Sequence, residues 1–308
     1  MKRVLVVYYS QTGQLGDIVD SLTAPLRADP ANFDVVLAPL KPLTPFVFPW
    51  SFWGFFNTFP ECIFDDAGPN APLAIADGAE FDLVILAYTV WFISPSLPTT
   101  AFLQSEQGAR LLRGKPVITV IGCRNMWLMA QERVKRKLQA LGARLIDNVA
   151  LTERTHGAKS VVTTPWWLLS GNKGPYLGGM FPRAGIWDSD IRDAARFGKA
   201  IAAQLPQRSA ADNRPMLGGL GAVIVHPGLI SSEQIVQRSF RLWGTLLRAC
   251  GKPAALLRRM ILALYVLFLV AMLLTVVPVV FLLKTLLSPL TRKRIAQQRQ
   301  YFAAPSGE

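Results

Sequence analysis

The strongest constraint on this chain lies at its start. Arg3-Val-Leu-Val-Val-Tyr-Tyr9 is an unbroken β-branched and aromatic run, and Ser10-Gln-Thr-Gly-Gln14 is a hydroxyl- and glycine-bearing turn that opens a helical pattern. A short apolar run bounded by a turn reads as a buried strand. The turn brings backbone N–H groups and the Ser10 and Thr12 hydroxyls together at the positive end of a helix, with Gly13 allowing close approach, which suits an anion. It has neither the lysine of a nucleoside-triphosphate loop nor the three spaced glycines of a dinucleotide fingerprint. A monophosphate such as that of FMN therefore fits Ser10, Gln11, Thr12, Gly13 and Gln14 better than ATP or NAD.

The pattern repeats. Strands are expected over 4–9, 34–38, 82–87, 116–121 and 144–151, with helices over 14–26, 99–112, 126–141 and 188–204, the last opened by Asp188-Ser-Asp190. Alternation of this kind predicts an α/β fold with a five-stranded, doubly wound parallel sheet. Ligands of such sheets sit beyond the carboxyl ends of the strands, so the loops after Tyr9, Ala87 and Ile121 are the ones to inspect. Thr89, Val90, Trp91 and Phe92 follow the third strand, where backbone amides can meet the pyrimidine edge of a flavin and an indole or phenyl ring can stack on it. Gly122, Cys123, Arg124 and Asn125 follow the fourth, where Arg124 can steady negative charge on a reduced flavin or a substrate carbonyl. Cys123 reads as a packing residue of this frame, because no catalytic Cys/His/Asn order accompanies it.

Two segments are irregular. Residues 39–72 carry Phe46, Phe48, Trp50, Phe52, Trp53, Phe55, Phe56 and Phe59 among many prolines. Such a loop is either a packing cap over the sheet edge or a lid on a flavin or greasy substrate. Residues 152–187 form a second insertion holding Arg154, His156, Trp166, Trp167 and Tyr176; His156 is the candidate proton donor there, or else a surface loop histidine. His226 is expected to be structural. Cys62, Cys123 and Cys250 lie far apart, so neither a metal site nor a disulfide framework is expected.

Charge and hydropathy divide the chain unevenly. From Gln207 onward there are 13 Lys or Arg and 3 Asp or Glu, so +10 of the net +13 lies there. Residues 260–283 are 24 positions without a charge, enough as a helix to cross a hydrocarbon core, although basic flanks on both sides leave crossing and one-leaflet embedding open. Before it, residues 231–250 pattern as an amphipathic helix capped by Ser232, suited to an anionic lipid surface or to core packing. The expected organisation is a ligand-binding domain over 1–206, a basic linker with amphipathic helix over 207–257, a transmembrane or membrane-embedded helix over 258–287 and a basic tail over 288–308. The helix would attach a cytoplasmic domain to the inner (plasma) membrane. Nucleic acid is not an expected partner, since the charge flanks an apolar span and no reading module accompanies it.

Tyr9-Ser-Gln-Thr-Gly13 and Val90-Trp-Phe-Ile-Ser-Pro-Ser-Leu-Pro98 resemble the phosphate and isoalloxazine loops of the flavodoxin-like quinone and FMN reductases, over residues 1–205. A closer resemblance, to the proteins called dialkylresorcinol condensing enzymes, rests on Tyr8-Tyr-Ser-Gln-Thr-Gly-Gln-Leu15, Phe46-Val-Phe-Pro-Trp50 and Ile121-Gly-Cys-Arg-Asn-Met-Trp-Leu-Met-Ala-Gln-Glu132. The resemblance implies a flavodoxin-like fold, FMN as cofactor with NAD(P)H as reductant, and a lipophilic small-molecule substrate. It also implies a ketosynthase and an acyl carrier protein as partners. The chain has no ketosynthase-type Cys/His/His set, so an oxidoreductase or aromatising step suits its residues better than condensation. The other reading is a flavin-free membrane scaffold for the ketosynthase.

Overall fold

The computed structural model describes residues 1–154, 158–275 and 295–306. Six strands, β1 (Lys2–Tyr8), β2 (Phe33–Pro39), β3 (Leu83–Trp91), β4 (Ser94–Pro95), β5 (Pro116–Cys123) and β6 (Arg144–Thr152), form one sheet in the order β2-β1-β3-β5-β6, with β4 beside β3. The five long strands are parallel, and their order is that of a flavodoxin-like doubly wound sheet.

The sixth strand corrects the expected count of five. β3 continues to Trp91, so Thr89, Val90 and Trp91 are strand residues and not a loop; Phe92 and Ile93 then reverse the chain with φ of 48° and 53°, and Trp91 pairs with Ser94 of the antiparallel β4. Two left-handed residues in a two-residue hairpin turn are normally supplied by Asn-Gly, which is why nothing in Phe92-Ile93 announces the turn. The conformation is held because Ile93 is buried and Phe92 packs on Phe55 (4.8 Å) and Phe59 (5.4 Å).

The helices are α1 (Gln14–Arg27), α2 (Phe52–Asn57), α3 (Phe59–Phe64), α4 (Leu97–Gln104), α5 (Glu106–Leu112), α6 (Leu128–Ala140), α7 (Ala158–Ser170), α8 (Asp188–Asp193), α9 (Ala195–Gln204), α10 (Pro227–Ala249) and α11 (Leu256–Leu274). α1 packs with α8 and α9, and α6 with α10, on opposite faces as right-handed crossovers either side of the switch point require. The helix expected over 99–112 is two, because Ser105 is extended (φ −83°, ψ 153°) and its hydroxyl accepts the N–H of Gly108. The aromatic segment, expected to lack periodic structure, contains α2 and α3. α10 begins earlier than expected: Pro227 occupies its first turn, and Ser232 lies inside it, not at its cap. Among the described residues one helix, α11, is long and apolar enough to cross a membrane by length and composition; the rest of the expected span, 276–287, lies outside the described residues.

Residues after 206 contribute to the core. Met216, Leu217, Ala222, Val223 and Val225 join the main apolar cluster, and the buried Asp147 of β6 accepts the N–H groups of Met216 (2.7 Å) and Leu217 (3.2 Å). α10 is tied down by Glu233, which is wholly buried. Its Oε2 accepts the N–H of Met129 at 2.9 Å, and the Trp127 and Leu128 amides also face the carboxylate. α6 has no side-chain cap of its own at Trp127, so a residue from another helix satisfies its first amides.

Burial pushes the Glu233 carboxyl up to about 7. Between pH about 4.5 and 7 the folded protein holds a proton that the unfolded chain has released, so stability falls as pH rises through that window and levels off above it. The expected outcome in urea unfolding is a midpoint that declines across this range and a Glu233→Gln variant in which that decline is reduced. An identical pH profile in the variant would refute the assignment.

Candidate functional site

The carboxyl ends of β1, β3 and β5 converge on one cavity. It has a volume of about 150 Å³, and ten of the residues singled out from the sequence line it: Gln11, Thr12 and Gln14 from the first turn, Thr89, Val90, Trp91 and Phe92 from the end of β3 and its hairpin, and Gly122, Cys123 and Arg124 from the end of β5. Ser10, Gly13 and Asn125 adjoin these residues in sequence but are not themselves part of the lining. His156, the expected proton donor, lies outside the described residues.

The first turn is built to leave amides available. Gly13 has φ 85° and a built Cβ there would meet no atom within 4 Å, so the position requires glycine for its backbone angle and not for space. Ser10 Oγ accepts the N–H of Gly16 at 3.0 Å, which leaves its own O–H to donate. The Gln11 side chain turns outward to the aromatic segment, where Nε2 donates to the Phe46 carbonyl (3.2 Å) and Oε1 accepts from Trp50 Nε1 (3.1 Å). The Gln14 side chain does not face an anion position. It pairs with the backbone of Ile186, donating to its carbonyl at 3.0 Å and accepting its N–H at 3.1 Å, and only its main-chain amide remains for a ligand.

Trp91 forms the aromatic wall. It makes edge contacts with Tyr9 (5.9 Å), Phe46 (5.0 Å) and Trp50 (5.4 Å), so the first turn, β3 and the aromatic segment meet at one indole. Beside it Thr89 Oγ1 is buried without a hydrogen-bond partner among the described residues, a costly state unless a ligand or water completes it. Arg124 is held on one side by Asn125 Oδ1, 3.4 Å from Nε. Burial draws its pKa down and the nearby Glu153 carboxylate counters that; its terminal nitrogens have no acceptor among the described residues. Burial pushes the Cys123 thiol well up, which suits packing and not nucleophilic attack.

Several lining residues were missed in the sequence. Glu153 joins the wall where its N–H donates to the Cys123 and Arg124 carbonyls (3.2 and 2.9 Å), and Thr164 Oγ1 donates to its Oε2 at 2.9 Å. Leu168, Gly185 and Ile186 also line the cavity, beside Trp50, Phe55 and Trp167, which the sequence places in its two irregular segments. The polar stretch around His156 and the Trp166-Trp167 pair were the available signals. Gly185 gave none, although a Cβ there would lie 2.9 Å from Gln14 Nε2.

The donor set fits an FMN-type ligand: first-turn amides and hydroxyls for a phosphate, an unpaired Thr89 hydroxyl and an Arg124 cation for polar ring atoms, and an indole wall. The volume sets a condition, since cofactor pockets usually exceed about 300 Å³. Admission of a whole flavin requires lining side chains, among them Trp50, Phe55 and Trp167, to draw back.

No protein-family model and no curated protein matches the sequence. Solved structures similar to the chain include a flavoprotein in complex with FMN from Lactobacillus acidophilus NCFM (17% identity over 48% of this chain and 92% of that one, TM-score 0.39). Oxidised flavodoxin 1 from Bacillus cereus is another (13%, 66% and 99%, TM-score 0.35). General stress protein 14 in complex with FMN from Treponema denticola is a third (8%, 67% and 98%, TM-score 0.34).

Removing the Gln14 amide leaves the Ile186 N–H and carbonyl buried and unpaired. Gln14→Ala is expected to cost about 2–4 kcal/mol in urea unfolding. A loss within the error of the measurement would show that the clamp is dispensable.

Proposed function

We propose that the chain is an FMN flavoprotein that works as an oxidoreductase on a lipophilic carbonyl or quinoid substrate while attached to a membrane. The observation that carries this reading is the convergence of the turns after β1, β3 and β5 on one cavity that contains an unpaired buried hydroxyl, Thr89, and an underused cation, Arg124. Ser10, Thr12 and the amides of residues 12–15 hold the phosphate, with Gly13 setting the loop. Thr89 and the adjoining main chain meet the ring's polar edge, Trp91 bounds it, and Arg124 faces developing negative charge. FMN, when bound, exchanges a hydride or single electrons, with NAD(P)H as the source. The aromatic segment from Phe46 to Phe59 receives the apolar part of the substrate, and α11 brings the domain to the lipid phase where such substrates partition.

The likeness of residues 8–15, 46–50 and 121–132 to dialkylresorcinol condensing enzymes supports a place in resorcinol or related polyene-lipid synthesis, beside a ketosynthase and an acyl carrier protein. The small cavity and the Gln14 side chain committed to Ile186 favour a second reading, a flavin-free scaffold of the same pathway.

An absorbance spectrum separates the two. Purified full-length protein is expected to show flavin absorbance or to gain it on addition of FMN. Gly13→Ala, which places an L side chain at φ 85°, should weaken FMN binding at least tenfold, about 1.4 kcal/mol, and Thr12→Val should weaken it in the same direction. Protein that neither carries nor gains a flavin spectrum leaves the scaffold.

A further inference from the structure

The chain leaves the α/β domain through an apolar helix and then comes back to it. Ser306 Oγ accepts the N–H of Asn148 on β6 at 2.7 Å and donates to Asp147 Oδ1 at 2.7 Å. Phe302 and Ala303 belong to the main apolar core, and the Tyr301 hydroxyl donates to Glu132 of α6 at 2.8 Å. Both flanks of the apolar stretch are fixed to the same domain, α10 through Glu233 to the start of α6 and residues 295–306 to β6 and α6.

α11 itself is two-sided. Arg258, Leu262 and Tyr265 are buried on the domain. The Arg258 guanidinium reaches both Glu61 oxygens at 2.8 and 2.9 Å, and Tyr265 stacks on Phe59 with centroids 4.7 Å apart. Leu257, Met260, Leu264, Leu267 and Leu274 fall on the opposite side of the helix and are 52% to 70% exposed, an uncovered apolar stripe at helical spacing. Arg238 and Arg241 on α10 and Arg259 at the start of α11 are exposed and enter no ion pair among the described residues, which complements anionic headgroups.

We infer that the protein is monotopic: α11 lies along one leaflet of a bilayer containing anionic lipid, and residues 295–306 stay on the same side of that bilayer as the sheet. The inference rests on the reading that α11 meets lipid. A single crossing would carry residues 295–306 away from β6. A double crossing is too long for the chain, because residues 260–290 are 31 positions with one charge, Lys284. Even if wholly helical they would extend about 46 Å, whereas two spans need about 40 residues.

The test uses full-length protein in bacterial cells, carrying Gln297→Cys at an exposed position in a Cys250→Ser background, and a membrane-impermeant maleimide. The expected result is protein that sediments with membranes and is labelled at position 297 only after the cells are opened; labelling in intact spheroplasts would overturn the topology. With purified protein and phosphatidylglycerol-containing vesicles, Leu267→Glu should weaken binding at least tenfold with the unfolding midpoint unchanged, and undiminished binding would overturn the role of the stripe. A wild-type dimer in the absence of lipid that dissociates with Leu267→Glu would assign the stripe to a second copy and overturn the inference. Protein that neither sediments nor binds vesicles refutes lipid contact itself, a failure distinct from a labelled tail.

Discussion

Residues 4–7, 83–88 and 117–121 of the three central strands are almost wholly excluded from solvent, and a parallel sheet in that state needs a helical layer on each face. Most of the molecule answers that need. α1, α8 and α9 cover one side, and α6 with α10 the other. Because every long strand runs the same way, the carboxyl ends and the turns that follow them gather at one edge, and the cavity lies there. Its position is a consequence of topology, while its lining comes from whichever segments reach that edge.

The strands and crossover helices were legible because β-branched runs and 3.6-residue periods survive as local patterns; β2, β5 and β6 depart from expectation by at most two residues at either end. Thr89, Trp91, Gly122 and Arg124 were legible as cavity residues for the same reason, since they close strands that could be read. The hairpin at Phe92-Ile93 was not, because its conformation is imposed by the packing of both side chains against a local preference for glycine and asparagine. The destination of the Gln14 side chain depends on Ile186, 172 positions away, and Glu153, Thr164 and Trp167 arrive from an insertion without periodicity. Long-range pairings of this kind leave no trace in a window of neighbouring residues.

The layer formed by α10 also links two regions that composition alone would separate. Through Glu233 it caps α6, which starts just beyond Arg124. Phe240 reaches the ring of Phe59 (4.9 Å), and Phe59 in turn stacks on Tyr265 of α11. Phe92, at the cavity wall, contacts Phe59 as well. A continuous chain of aromatic contacts therefore joins the cavity to the apolar helix, so a displacement of either is felt as repacking at the other.

Ser306 gives the carboxyl-terminal segment an unusual standing. Asp147 would keep only its two main-chain donors without it, and the outer strand of the sheet would present an open Asn148 amide of the kind that invites strand addition. The hydrophobic region is accordingly an insert within the fold and not an appendage to it. Removing the apolar piece is thus a matter of excising an internal segment and rejoining the ends, since a stop codon placed ahead of it would also discard Phe302, Ala303 and Ser306 from the core.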